Sequence, residues 1–402
     1  MANTLKFGNG QWYGKAGSIL AYNDENNNYK PLPFTFTRAS SATRVNESGL
    51  IESVGSGIPR VDYLNNADGH LLLEPSRTNY ATYSENFSSW APVFTAVNLN
   101  EVSSPNGSVN AAKLTDTSTS GTHRVQLATT TPSSGGFSYS IFLKKGTLST
   151  VALSVYSGAD AADSKFDLNN GTIVSNTNGT AKIEDWSNGW YRCIVSGTLA
   201  STSTTIYIYL KEKASYSGSD EYLYAWGAQL EAGSYATSYI PTSGSSVTRV
   251  IDAASQIVPS GVINQEQGTL YVEFNVSTGS GIGGIVEIIN PSSTNNRVLL
   301  WDSSSGDLIN LSAFFGVKGN ITKNNISLGT HKAALAYSST AIKFFLDGVK
   351  IGEVASTASY TGISKIDLEN ASGTVNFQQK RIKEVKLYNA ALSESELIAL
   401  TS

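Results

Sequence analysis

The residues with the most chemical promise in this 402-residue chain are carboxylates, aromatics and three histidines. Asp367 and Glu369 are two positions apart in an alternating stretch, so a strand would place both on one face. Glycosidases use two carboxyls roughly 5 to 10 Å apart. A three-acid Glu-x-Asp-x-x-Glu pattern fails here, because Lys365 stands at its first position. The pair reads as a solvated strand face, and no catalytic residue is assigned. Gly279, Gly281 and Gly284 have the spacing of a dinucleotide fingerprint. That fingerprint needs a helix whose N-terminus binds the pyrophosphate. The next residues are instead the β-branched run Ile285–Asn290, stopped by Pro291, so a hairpin loop is expected.

His70, His123 and His331 share no metal-ligand spacing and read as turn or surface residues. Cys193, alone in the chain, lies in an apolar strand and reads as a small core residue. The run Asn23–Asn28 offers oxygen ligands of the type Ca²⁺ takes, but without EF-hand spacing it reads as a solvated loop. No cofactor is expected; Ca²⁺ is the only ion considered. Tyr207 and Tyr209 fall on one strand face, and Tyr222 and Tyr224 on another. Sugars pack their C–H faces on such rings, and a phenol tolerates water. These four tyrosines are the candidate carbohydrate-binding residues.

The elements that must position these groups are strands. In Thr205–Leu210, Ile206, Ile208 and Leu210 face one way and the two tyrosines the other. In Thr269–Val276, Leu270, Val272, Phe274 and Val276 share a face. Such alternation belongs to antiparallel sheets buried on one side. Asp347-Gly348 between alternating runs predicts a hairpin with a type I′ turn. The one convincing helix signal is the capping box Ser393–Glu396 at the C-terminus. The fold class is therefore all-β: an N-terminal extended segment, then two antiparallel β-sandwiches. Residues 1–80 form the first segment, 81–250 a strand-dense block and 262–402 a second strand-rich block, joined through a Pro/Gly/Ser-rich stretch between 241 and 262.

Composition agrees. Charged residues make up 15% of the chain and hydrophobic ones 40%, so real cores are covered by a neutral Ser/Thr/Asn surface. A net charge of −4 without a Lys/Arg cluster argues against a nucleic-acid partner. One cysteine permits no intrachain disulfide. The first ten residues lack a signal-peptide apolar core, and no run is long enough to insert in a membrane. Synthesis and assembly in a reducing cytoplasm is the expectation.

Three groups of motifs carry a resemblance. Leu32–Arg44, Gly49–Glu52, Pro59–Tyr63 and Leu71–Asn79 together resemble the N-terminal region of bacteriophage head-spike and tail-fibre proteins. Tyr83–Phe87, Trp226–Glu231 and Ser238–Thr242 look like the opening and closing of the jelly roll that comes next in those proteins, a module similar to carbohydrate-binding modules. Phe344–Gly348 and Arg381–Ser393 resemble the end of a laminin-G or concanavalin-A-like sandwich. The resemblance implies a non-enzymatic structural virion protein, a head or tail fibre subunit. Its lectin-like modules would adhere to host surface glycans, and its partners would be capsid or tail proteins and, as a homotrimer, itself. The alternatives are a decoration protein without glycan binding and a surface-polysaccharide depolymerase. Residues 1–80 are expected to attach and assemble the particle. They carry spaced anchors, Trp12, Tyr13, Phe34, Phe36, Tyr63 and the run Leu71–Leu73, that would need cover from a neighbouring subunit or virion protein; Trp12, Tyr13, Phe34, Phe36 and Arg38 are the candidate attachment and assembly residues.

Overall fold

The computed structural model describes residues 3–6, 20–23, 29–32, 35–131, 134–258, 263–276, 281–305, 308–368 and 379–402. These residues form antiparallel sheets and one α-helix, Glu394–Thr401. The chain divides into two compact units. One comprises residues 1–41, 54–75 and 250–402, and the other residues 42–53 and 76–249.

The second unit is a jelly roll of two six-stranded sheets. The front sheet runs in the order Ala91–Val93, Arg124–Thr130, Ser203–Leu210, Thr150–Tyr156, Asp160–Asp167, Thr172–Asn178. The back sheet runs Thr95–Ser103, Val109–Asp116, Tyr222–Ala232, Gly135–Lys145, Trp190–Leu199, Thr180–Asp185. Period-2 alternation decides which side chains meet between them. Val125, Leu127, Val151, Leu153, Val155, Ile206, Ile208 and Leu210 enter the core from the front, and Leu114, Leu143, Val195, Leu223 and Leu230 enter it from the back. Cys193 is part of this core and wholly buried, as its apolar strand predicts.

The first unit is a sandwich of an eight-stranded and a seven-stranded sheet. The Asp347-Gly348 turn joins Ala341–Leu346 to Val349–Ala355 with positive φ at both residues, 48° and 76°, the type I′ geometry. The C-terminal helix carries its capping box and buries Leu397 against Tyr271, Ala334, Ala336 and Phe345 on the outside of the eight-stranded sheet.

The extent of the units differs from the sequence reading in two places. His70–Leu73 pairs with Lys380–Tyr388, and Arg60–Asp62 pairs with His70–Leu73, so both strands extend the eight-stranded sheet. Thr35–Thr37 edges the seven-stranded sheet beside Ala253–Ile257. Leu71 and Leu73 are buried in the sandwich core, and Phe36 packs against it. The cover these apolar residues need comes from the chain's own C-terminal strands. The stretch from 241 to 262 is likewise not a bare linker. Val247–Arg249 pairs with Arg77–Asn79 in the jelly-roll unit, while Ala253–Ile257 belongs to a sandwich sheet. Trp12, Tyr13, Phe34 and the polar run after Asn23 lie outside the described residues.

Candidate functional site

The front sheet of the jelly roll turns polar and aromatic groups outward. Tyr207 and Tyr209 alternate with core-facing Ile206 and Ile208, so both rings leave the outer face. Their rings stack at 5.4 Å with planes 14° apart. Tyr209 is buried and Tyr207 half-buried. With one face of Tyr207 turned to Tyr209, its other face looks along the strand. The small Thr205 comes next on that side, and across the ladder from Thr205 stands Tyr156, which is 43% exposed. Tyr156 is thus a diagonal cross-strand neighbour of Tyr207, a separation of about 7–8 Å. Ser154 stands directly opposite Tyr207 across the ladder. Its hydroxyl is buried and has no hydrogen-bond partner among the described residues.

Charged groups rim this slot. Lys213 Nζ donates to Asp160 at 2.9 Å and Asp163 at 2.7 Å, and Lys165 lies 3.5 Å from Glu212. Arg124 lies directly across the ladder from Tyr209, and its Nε donates to Gln126 Oε1 at 2.8 Å. Burial pushes the Tyr209 hydroxyl above its ordinary value, against the pull of nearby Lys213 and Arg124. The hydroxyl is therefore a neutral donor and acceptor at physiological pH.

No protein-family model matches the chain, and no curated protein matches it. Among solved structures, the chain is similar to the Ruminococcus gnavus IT-sialidase CBM40 at 20% identity, over 35% of this chain and 84% of that one, with a TM-score of 0.28. A second is a putative carbohydrate binding protein from Bacteroides ovatus, at 11% identity over 69% and 79% of the two chains, TM-score 0.28. A third is mouse laminin alpha1 chain, domains LG4-5, at 11% identity over 79% and 91%, TM-score 0.24. The fold assignment rests on the strand pairing itself, not on likenesses of this size.

The four tyrosines singled out by sequence do not form one site. Tyr222 and Tyr224 leave the outer face of the back sheet, opposite in direction to Tyr207 and Tyr209. They meet each other edge to face at 5.5 Å. Lys113 Nζ sits over the Tyr222 ring at 4.2 Å. Gly146 also packs on that ring so closely that an added Cβ would come within 2.4 Å of it. Both contacts cover part of the Tyr222 ring. Arg38 and Phe36 take internal places in the other unit: Arg38 is buried, and Phe36 packs against its core.

Other readings change. Asp367 is fully buried rather than solvated, because its strand, Lys365–Asp367, lies between two others. It pairs with Lys365 at 2.7 Å and sits across the ladder from buried Glu287, a neighbour that no local spacing associates with it. Arg297 lies 3.7 Å from Glu287. Glu369 is outside the described residues. Gly281 and Gly284 belong to the strand Gly281–Asn290, which pairs with Ser293–Ser305, so no loop and no helix occupies that position; Gly279 is outside the described residues.

All three histidines are buried, not superficial. Each strand start folds its ring onto a local partner: His331 onto Asp347 at 2.6 Å and Ser327 O at 2.9 Å, His123 onto Thr117 O at 3.0 Å, and His70 beside Asp62 at 3.4 Å. No group of three or more His, Cys, Asp or Glu among the described residues could hold a metal ion. Nor is any described helix long and apolar enough to cross a membrane.

Proposed function

We propose that this protein is a non-enzymatic fibre or spike subunit of a bacteriophage particle whose jelly roll holds saccharides of the bacterial surface. The observation that carries the saccharide part is the slot on the front sheet. Tyr207, half-buried, stacks on Tyr209, and Tyr156, 43% exposed, stands at the diagonal position across the ladder. An apolar sugar face would cover the ring, and the phenol would stay in contact with water.

The virion part is supported by the motifs that resemble phage spike and fibre proteins. In that setting a weak site is multiplied by copy number, because each further contact on one particle is intramolecular. A homotrimer supplies the first step of that multiplication. Virion location rests on the same reading, with assembly in the host cytoplasm.

The test is binding of purified full-length protein to host cells and to particles. Wild-type protein should bind host cells, and Tyr207→Ala should bind much less while melting at the same temperature. An antibody to this chain should label purified virions in micrographs. Unlabelled virions would overturn the location. Equal cell binding by the two proteins would overturn the slot as the binding site, no cell binding by wild type would leave a structural decoration protein, and release of reducing sugar would make it a depolymerase.

A further inference from the structure

The front sheet of the jelly roll ends on Thr172–Asn178, a seven-residue strand that pairs with Asp160–Asp167 on one side. No strand among the described residues pairs with its other side. All seven residues are exposed, Ile173 at 42% and Val174 at 53%, so both faces of the strand are bare as well as its edge. The strand is nevertheless fixed in place. Ser164 Oγ donates to Asn176 Oδ1 at 2.6 Å, Asn176 Nδ2 to Gly179 O at 2.9 Å, and Thr177 Oγ1 to Asp163 O at 3.1 Å.

An unpaired edge offers its N–H and C=O groups to any extended chain, and proteins guard such edges with charge, proline or brevity. Other edges of this protein are guarded. Thr180–Asp185 carries Lys182 and Glu184, Val349–Ala355 carries Lys350 and Glu353, and Asn320–Ile326 carries Lys323. At the opposite end of the front sheet, Ala91–Val93 is short and contains Pro92. Thr172–Asn178 has no charge and no proline. Its one guard is a pair of register shifts against Asp160–Asp167, which twist the strand but leave its outer edge open.

We propose that Thr172–Asn178 pairs with the same strand of a second copy of this chain, antiparallel about a two-fold axis. A neutral strand meets its own copy without setting like charges opposite one another. A head-to-tail union of front sheets would bring it against Ala91–Val93, where Pro92 has no N–H to give. The two-fold contact instead uses the open strand of both copies and closes. It joins two six-stranded sheets into one of twelve strands and brings the β-branched Ile173 and Val174 of one copy toward those of the other. Because each strand takes one mate, this contact is distinct from any that builds a trimer.

The experiment measures the mass of the purified full-length protein by sedimentation equilibrium across micromolar concentrations. Val174→Lys, at an exposed position, places like charges on both sides of the contact. It should halve the mass of the assembly and raise its dissociation constant by about tenfold or more. Val174→Glu should do the same, and an equimolar mixture of the two variants should regain the wild-type mass. Circular dichroism spectra matching wild type establish that each variant is folded. Wild-type protein that is monomeric across the range would overturn the inference and leave the edge to an extended segment of another protein. An assembly whose mass neither substitution changes would also overturn it, as would variants whose mixture does not reassociate. A fall to one third of the mass would assign the strand to a trimer contact and overturn the two-fold.

Discussion

Arg38 and Asp252, 214 positions apart in sequence, meet at 3.0 Å with neither side chain reaching solvent. The other oxygen of Asp252 accepts from Arg60, and Arg60 Nη1 donates to Glu74 at 2.7 Å, again fully buried. Gln379 adds a bond to the second Glu74 oxygen at 2.9 Å. Two arginines and two acids thus neutralise one another inside the sandwich unit and tie its N-terminal residues to its C-terminal ones. Removing one partner strands buried charge. Asp252→Asn is therefore expected to lower unfolding free energy by about 3–5 kcal/mol. Equilibrium denaturation in urea checks it. A loss below about 1 kcal/mol would mean the network is hydrated and of little weight.

Tyr207 and Tyr222 provide a matched pair of substitutions within one domain. Tyr207 stacks on Tyr209 on the front sheet, whereas Lys113 and Gly146 lie against the ring of Tyr222 on the back sheet. Tyr207→Ala should weaken saccharide binding by about tenfold, roughly 1.4 kcal/mol, with little change in melting temperature. Tyr222→Ala should do the reverse, costing stability through lost packing and leaving binding alone. Titration calorimetry and thermal melts on both variants separate the two faces. If Tyr222→Ala is the variant that loses binding, the back sheet carries the site.

His70 makes the sandwich unit sensitive to pH. Burial holds its imidazole below the ordinary 6.5, opposed by Asp62 and reinforced by Arg381 and Lys383. The unfolded chain takes up a proton near 6.5 and the folded chain at a lower pH, so below 6.5 the unfolded state binds more protons. Stability contributed by neutral His70 is complete above that point, falls as pH drops through it, and levels off below the folded value. Between about pH 7.5 and 5.5 the stability advantage of wild type over His70→Gln should shrink. A constant or growing advantage across that window would show that the ring is not buried in its neutral form.

Local structure was the most legible part of this sequence. Alternation in Thr205–Leu210 places Tyr207 and Tyr209 outside and Ile206 and Ile208 inside. The Asp347-Gly348 turn and the Ser393–Glu396 cap depend on residues within four positions of one another. Long-range pairing was not legible. That Tyr209 lies opposite Arg124 on one sheet, while Tyr224 lies opposite Lys113 on the other, is decided by which strands pair. No local period encodes that choice. Burial of the three histidines was missed for a related reason: the ring partners of His123 and His331 are main-chain oxygens or a turn acid, which composition does not single out. The motifs from Leu32 to Asn79 stood out as a resemblance, but their charges carried no sign that Arg38 and Arg60 share a carboxylate at Asp252.

The same network predicts how the chain can be divided. Residues 1–80 read, on sequence, as an attachment and assembly segment ahead of the two sandwiches. Yet Arg60–Asp62 and His70–Leu73 are strands of the sandwich unit, and Leu71 and Leu73 lie in its core. Full burial of two leucines is worth about 3–6 kcal/mol together. Deletion also removes Arg38, Arg60 and Glu74, leaving Asp252 buried without these partners. Stability of a domain is typically about 5–15 kcal/mol, so the combined loss is comparable with the whole. A fragment of residues 250–402 should therefore fail to fold alone, whereas residues 35–402 should fold. Circular dichroism and the cooperativity of thermal unfolding distinguish the two outcomes. A cooperative melt from the 250–402 fragment would mean that its sheets close without the N-terminal strands, restoring residues 1–80 to a purely external role.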